Sequence, residues 1–130
     1  MLKNLDPLLT PDLLYALRAM GHGDILTLVD SNFPADSVST STVHGEVIRL
    51  DGVGIPEVAQ ALFSVFPLDS YVETPIRHMQ VVGEPEATLE IHHELLLGAE
   101  HGGNDIEANG RGALVSVGVR SEQRRRSNRV

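Results

Sequence analysis

A histidine between two glycines is the feature of this sequence that most directly suggests chemistry. His22 lies in Met20–Asp24, which reads Met-Gly-His-Gly-Asp, and the apolar segment that follows ends at Asp30. Imidazole has an unperturbed pKa of about 6.5, so it can donate and accept protons near neutral pH. A carboxylate a short strand away can share that proton transfer or bind the hydroxyl groups of a ligand. We therefore predict a proton-transfer site around His22.

Each of these side chains also has a structural interpretation. His22 could sit at the C-terminal end of a preceding helix, where the helix dipole favours a positive charge, although its flanking glycines let backbone or ligand approach closely. Asp24 can support the turn by hydrogen bonding to it. Asp30 can be an ordinary loop residue. Its place after a predicted strand favours a functional role, because ligands of α/β sheets bind beyond the carboxyl ends of strands.

A second candidate group lies in Pro67–Glu73, where Tyr71 follows Asp69 by two residues. An aspartate in a turn after a helix is common for structural reasons alone, so the role of Asp69 stays open at this point. Met79 is predicted to lie on a strand, where methionine is more often a core residue than a ligand contact.

Several kinds of site are disfavoured by what the sequence lacks. It has no cysteine, which removes thiolate catalysis and cysteine-based zinc sites. His92, His93 and His101 form no His-x-x-x-His pair, and adjacent histidines point to different faces of a helix, so we predict no metal. Neither a glycine-rich phosphate loop nor a G-x-S-x-G nucleophile motif is present. The predicted chemistry therefore uses no metal and no cofactor.

Length, composition and charge favour one globular domain. The chain has 130 residues, 42% of them hydrophobic, and a formal net charge of −8, which disfavours nucleic acid as a partner. No apolar run approaches the roughly 18 residues that span a membrane, and no secretory signal is visible, so we predict a cytoplasmic protein. Residues 112–130 carry five arginines against one glutamate. We predict a domain over residues 1–119 and a disordered Arg-rich tail over 120–130, with docking on an anionic surface as the alternative.

The elements that must position these residues alternate between helix and strand. The predicted helices begin at Thr10-Pro11-Asp12 and end at Gly21, run from Pro56 to Pro67, and cover residues 84–97. The predicted strands cover residues 25–29, 47–50, 76–82 and 113–117, and residues 31–45 are predicted to form a loop. This alternation predicts an α/β layered sheet.

Five segments within about residues 1–83 carry a family resemblance: Leu13–Leu17, Met20–Asp24, Asp30–Ala35, Ile48–Pro56 and Pro67–Glu73. Together they resemble the L-fucose mutarotase family, whose wider group includes the D-ribose pyranases. The resemblance implies a three-layer α/β/α fold with a mostly parallel sheet. It also implies a homo-oligomer with active sites at or near subunit contacts, and cofactor-free exchange between the α and β anomers of a free sugar such as L-fucose.

The resemblance further implies a role for individual residues. The proton-donor histidine of the family falls on His22, and its sugar-binding aspartate falls on Asp30. The aspartate of its Leu-Asp-x-Tyr motif falls on Asp69, and a substrate-contacting methionine falls on Met79. In the expected reaction His22 protonates the ring oxygen, Asp69 takes the proton of the anomeric hydroxyl, and Asp30 holds sugar hydroxyls.

The C-terminal third departs from the family pattern. Ile106-Glu107 is followed by Ala108–Gly112, where the family carries an aromatic cluster, and the closing Tyr-Gly-Asn segment is absent. Whether the family's last strand is present therefore stays open. The alternatives to a fucose mutarotase are a sugar-binding or assembly module of the same family that has lost turnover, and a D-ribose pyranase.

Overall fold

The computed structural model describes residues 2–101 and 119–120. Within these residues the chain forms four helices and three strands of two residues each, in the order α1 (Pro11–Ala19), β1 (Leu28–Val29), α2 (Ala35–Ser39), β2 (Ile48–Arg49), α3 (Ile55–Phe63), α4 (Glu90–His101) and β3 (Val119–Arg120). None of the helices in this described part is long and apolar enough to cross a membrane.

The three strands form one small sheet in which β3 lies between β1 and β2. Both pairings are parallel, and Val119 is opposite Leu28 on one side and Ile48 on the other. Because the strands are parallel, the residues that follow β1 and β2 lie at the same edge of the sheet. Strand β3 includes Arg120, the first residue of the predicted tail, whereas the predicted strand 113–117 and the rest of that tail lie outside the described residues.

Helix α1 begins where the sequence predicts. Thr10 caps it, because its side-chain Oγ1 accepts a hydrogen bond from the main-chain N–H of Leu13 at 3.3 Å, and proline occupies the first helical position. The helix buries Leu13, Ala16 and Leu17. These residues are three and four positions apart, so they form one face of the helix, and that face packs in the core.

The core lies between α1, the sheet and α3. Helix α3 contributes several buried residues, and α4 packs along α3. The buried cluster comprises Leu9, Leu13, Ala16, Leu17, Leu26, Ile48, Leu50, Val58, Ala61 and Leu62. The core therefore holds α1, β1 and α3 together. The predicted site residues His22, Asp30 and Asp69 lie on the segments that follow these three elements.

The prediction of a loop over residues 31–45 is wrong in part, because α2 lies inside it. Pro34 immediately precedes the helix and Asp36 lies in its first turn, and both are features that favour the start of a helix. The guanidinium of Arg49 donates to Asp36 Oδ1 at 2.7 Å, so the helix is joined to β2. Ala35 and Ser39 are buried.

The predicted strand over residues 76–82 is also wrong. The described residues there contain only one isolated antiparallel bridge, between Val81 and Glu84, and Val82 is fully exposed. Alternating apolar residues form a strand only when a neighbouring strand satisfies their backbone groups, and none pairs with this segment in the described part of the chain. The following helix, predicted from residue 84, begins at Glu90 instead.

A buried histidine organises the start of α4. The main-chain N–H of Leu89 donates to Nδ1 of His92 at 3.2 Å, and the ring of His92 stacks on that of His78 with centroids 3.9 Å apart. His92 is only 8% exposed. Burial lowers the pKa of His92 below its usual range, and the charges of His78 and His93 lower this pKa further. The imidazole is therefore neutral, as its acceptor role at Nδ1 requires.

This lowered pKa predicts that the protein loses stability in mild acid. Between the folded-state and unfolded-state pKa of His92 the unfolded chain binds the extra proton, so the free energy of unfolding falls as pH decreases below about 6.5. Urea titrations between about pH 7.5 and pH 5 measure this slope, which for one proton is no steeper than about 1.4 kcal/mol per pH unit. His92→Gln keeps an acceptor without the titration and should flatten that part of the curve. His93→Gln, which replaces the exposed neighbour, should leave most of this pH dependence in place. An equal effect of both variants would contradict the assignment of the pH dependence to His92.

Candidate functional site

The turn that carries His22 is closed by its own residues. The carboxylate of Asp24 accepts the main-chain N–H of Gly21 at 2.8 Å, and the N–H of Asp24 donates to the carbonyl of Gly21 at 3.1 Å. Gly23 has a φ of +83°, in the left-handed region that favours glycine. Asp24 therefore holds the backbone that presents the histidine, and glycine is required after His22 rather than before it.

The imidazole of His22 contacts a carboxylate from a distant part of the chain. Its Nδ1 lies 3.0 Å from Oδ1 of Asp69, while the histidine side chain is 73% exposed and the aspartate side chain 22% exposed. A carboxylate accepts hydrogen bonds, so we assign the proton to Nδ1 of His22. Among the described residues no hydrogen bond is made by Nε2, which leaves that atom available to a ligand. The ring is bound to Asp69 rather than to the carbonyl groups at the end of α1, which argues against the helix-capping interpretation.

Asp69 is held by three donors. Besides His22, the main-chain N–H of Gly23 donates to its Oδ2 at 3.0 Å, and the main-chain N–H of Tyr71 donates to its Oδ1 at 2.9 Å. The hydrogen bonds from Tyr71, Gly23 and His22 hold the pKa of Asp69 below its usual range. The bond from Tyr71 lowers this pKa most and the bond from His22 least. The carboxylate therefore stays ionised in mild acid and fixes the 20–24 turn against the segment after α3.

The ring of Tyr71 completes this group. It meets the imidazole of His22 edge to face, with centroids 4.5 Å apart and planes at 70°. The sequence indicates Tyr71 as a neighbour of Asp69 but predicts no role for its side chain. Its place two residues after Asp69 is the available signal, because an aspartate in a turn commonly accepts the N–H two residues later. The contribution of the Gly23 backbone had no signal in the sequence.

Asp30 lies directly after β1, as predicted, and its hydrogen bonds stay within its own loop. Oδ1 accepts the main-chain N–H groups of Asn32 at 2.9 Å and Phe33 at 3.2 Å. Oδ2 makes only a long contact of 3.4 Å with the amide of Asn32. In the described part of the chain no hydrogen bond joins Asp30 to His22 or Asp69. Its exposed Oδ2 retains the capacity to bind a hydroxyl group.

Met79 lies on a loop instead of on the predicted strand, and its side chain is exposed. Its carbonyl accepts a hydrogen bond from Nδ1 of His78 at 3.1 Å. The exposure argues against a core role for the methionine. The geometry joins it neither to His22 nor to Asp69 by a hydrogen bond, so its predicted contact with substrate stays a prediction.

The histidines of α4 do not form a metal centre in the described residues. His92 stacks on His78, and its Nδ1 is already an acceptor for a main-chain N–H. Within residues 2–101 no group of three or more histidines and carboxylates is arranged to hold a metal ion. The chemistry that the described site can offer is proton transfer by an oriented imidazole, next to an ionised carboxylate and an exposed aromatic ring.

Comparisons with known proteins define the class to which this fold and site belong. Residues 3–116 match the model of the RbsD / FucU transport protein family, so the chain belongs to that family. This agrees with the resemblance seen in the sequence. The chain is 49% identical to human fucose mutarotase over 81 residues, which are 62% of this chain and 51% of the relative. It is 43% identical to an L-fucose mutarotase of Actinobacillus pleuropneumoniae over 90 residues, 69% of this chain and 58% of that protein.

Two solved structures share the fold. The crystal structure of protein Atu2016, to which sugar binding is ascribed, has a TM-score of 0.79 at 33% identity, covering 96% of this chain and 89% of that one. The fucose mutarotase from Streptococcus pneumoniae, crystallised with L-fucose, has a TM-score of 0.67 at 38% identity, covering 80% of this chain and 70% of that one. The chain spans about half the length of the human and bovine mutarotases that it matches.

Proposed function

We propose that this protein is a mutarotase that exchanges the α and β anomers of L-fucose or a similar free pyranose. The observation that carries the proposal is the His22–Asp69 pair, an exposed imidazole oriented by an ionised carboxylate. Similarity to proteins named fucose mutarotase, one of them crystallised with L-fucose, supports the choice of substrate. The reaction needs a proton relay and no cofactor.

Opening a pyranose ring requires one proton to leave the anomeric hydroxyl and one to reach the ring oxygen. Neutral His22 accepts the anomeric proton at Nε2, and the imidazolium then donates a proton to the ring oxygen as the bond between that oxygen and C1 breaks. Both oxygens are bonded to C1, so one imidazole can serve them in succession. The open aldehyde rotates about the C1–C2 bond and recloses on its other face. Positioned acid–base groups of this kind increase a reaction rate roughly 10²–10⁴-fold.

We assign Asp69 a different role from the one that the family resemblance implies. A carboxylate whose pKa is held low by three donors is a weak base, so it is poorly suited to take the anomeric proton itself. It is well suited to keep the proton of His22 on Nδ1 and to stabilise the imidazolium during the reaction. Asp69 therefore orients His22, and Nε2 of His22 moves the protons.

Asp30 and Met79 complete the proposal as substrate contacts. The exposed Oδ2 of Asp30 is available for a sugar hydroxyl, and the exposed side chain of Met79 offers an apolar contact for a sugar carbon. Their roles rest on the family resemblance together with this exposure. Measuring L-fucose binding by Asp30→Asn separates substrate binding from proton transfer. Loss of a hydroxyl contact should weaken the affinity for the sugar more than it slows proton transfer by His22.

We further propose the three-layer α/β/α arrangement, a homo-oligomeric state and a cytoplasmic location. The parallel pairing of β1 and β2 with β3 supports the layered arrangement, as does the TM-score of 0.79 to a chain that this one covers almost completely. Light scattering measures the mass in solution and tests the oligomeric state directly.

The decisive experiment is saturation-transfer NMR on free sugars. L-fucose and D-ribose are measured at equilibrium with the protein and in buffer alone, and exchange between the α and β signals should be faster for L-fucose with protein present. Faster exchange of D-ribose alone would favour the pyranase alternative. Binding of L-fucose with an exchange rate equal to that in buffer would contradict the mutarotase and select a sugar-binding module.

Asp69→Asn tests whether the carboxylate orients the histidine. We expect anomer exchange to fall about 10²-fold or more, because an amide no longer selects the Nδ1–H form of His22. Nitrogen-15 NMR of the imidazole should show the proton shifting toward Nε2. Asp12→Asn, on an exposed carboxylate of α1, is the matched control and should change neither quantity. A large loss of rate with an unchanged His22 tautomer would instead make Asp69 the base.

A further inference from the structure

We propose that Tyr71 is a positioning residue whose ring fixes the plane of the His22 imidazole, so that Nε2 faces the sugar. The inference rests on the proposed function, and it adds a residue to which the family resemblance assigned no role. It is carried by two contacts that tie Tyr71 to the His22–Asp69 pair, one through its backbone and one through its ring.

The first contact is the main-chain hydrogen bond. The N–H of Tyr71 donates to Oδ1 of Asp69 at 2.9 Å, and this is the same oxygen that lies 3.0 Å from Nδ1 of His22. The backbone of Tyr71 therefore sets the position of the atom that holds the histidine. Any residue other than proline could supply this N–H, so the contact alone does not explain a tyrosine.

The second contact depends on the side chain. The rings of Tyr71 and His22 meet edge to face, with centroids 4.5 Å apart and planes at 70°, which is the favourable geometry for such a pair. A single hydrogen bond at Nδ1 still permits limited rotation of the imidazole about its Cα–Cβ and Cβ–Cγ bonds. The aromatic contact opposes that rotation, and together the two contacts define the direction of Nε2.

The exposure of Tyr71 shows that it is not a core residue. The residue is 81% exposed, and the imidazole against which it packs is itself largely exposed. Removing its ring therefore leaves the core cluster untouched. The structure also offers a matched comparison, because Tyr15 on α1 is 71% exposed, and in the described residues the ring that pairs with His22 is that of Tyr71.

The test compares Tyr71→Ala, Tyr71→Phe and Tyr15→Ala with the parent protein. Saturation-transfer NMR over a range of L-fucose concentrations gives kcat and KM. Carbon-13 relaxation at Cε1 of His22, measured without sugar, gives an order parameter that reports how restricted the motion of the ring is. Tyr71→Ala should lower kcat about 3- to 10-fold with KM little changed, and it should loosen the His22 ring. Tyr71→Phe should restore both values, because it keeps the aromatic contact. Tyr15→Ala should change neither.

The two measurements separate this inference from the proposed function. If the parent protein does not accelerate anomer exchange but Tyr71→Ala loosens the His22 ring, the positioning role stands and the mutarotase proposal fails. An unchanged His22 ring in Tyr71→Ala overturns the positioning role whether or not the protein is a mutarotase. A rise in KM with kcat unchanged also overturns it, because that result means direct contact with the sugar.

Discussion

Replacement of His22 by alanine is expected to slow anomer exchange of L-fucose by about 10²–10⁴-fold, to near the rate in buffer. Among the described side chains of the site, an imidazole is the group suited to both accepting and donating a proton near neutral pH, because the three donors to Asp69 lower the pKa of that carboxylate. Saturation-transfer NMR measures the rate directly, and His22→Gln should lose as much, since an amide forms hydrogen bonds without transferring protons.

The matched control for this experiment is His44→Gln. His44 lies in the loop between α2 and β2, and its replacement should leave the exchange rate within the error of the measurement. The loss in His22→Ala should not be structural, because the His22 side chain is 73% exposed and belongs to no core cluster. An exchange rate in His22→Ala equal to that of the parent would refute the assigned chemistry.

Leu62→Ala is expected to cost about 2–5 kcal/mol of the free energy of unfolding. Leu62 is 2% exposed on α3 and packs within the cluster that joins α1, the sheet and α3, so its truncation removes apolar contacts and leaves a cavity. Domains of this size are typically stable by only about 5–15 kcal/mol, so the loss is a large fraction of the total. Urea unfolding followed by circular dichroism measures it.

Two further variants keep this experiment informative. Leu62→Met conserves volume and should cost less than about 1.5 kcal/mol, so it reports on the site even when the alanine variant fails to fold. Leu97→Ala, on a half-exposed leucine of α4, should cost clearly less than Leu62→Ala. Equal losses in the exposed and the buried position would mean that α3 does not anchor the core.

Features that depend on neighbouring residues could be predicted from the sequence. The start of α1 follows from Thr10 and Pro11, because a side-chain cap and a fixed proline φ act within one turn of the chain. The hydrogen bond from the N–H of Tyr71 to the carboxylate of Asp69, two residues earlier, is local in the same sense. The helix-starting features at Pro34 and Asp36 are equally local, but the serine- and threonine-rich composition around them predicts a loop, so α2 is not predicted.

Features that depend on distant partners could not be predicted in this way. The alternating pattern over residues 76–82 suggested a strand, but alternation states only which face would be buried and not whether a neighbouring strand is present. The residue types of His22 and Asp69, together with the family resemblance, predict each of them separately as a site residue. Their hydrogen bond and the ring contact with Tyr71 join segments far apart in the chain, and core packing brings those segments together.

The order of strands in the sheet has a consequence for synthesis on the ribosome. Leu28 and Ile48 both find their backbone partners at Val119, so the first two strands emerge from the exit tunnel long before the segment that bridges them. Contacts between residues this distant in sequence carry a large entropic cost of loop closure and slow the folding of the nascent chain. Helical contacts can accumulate during translation, whereas the parallel ladder has to wait until its central strand has been made.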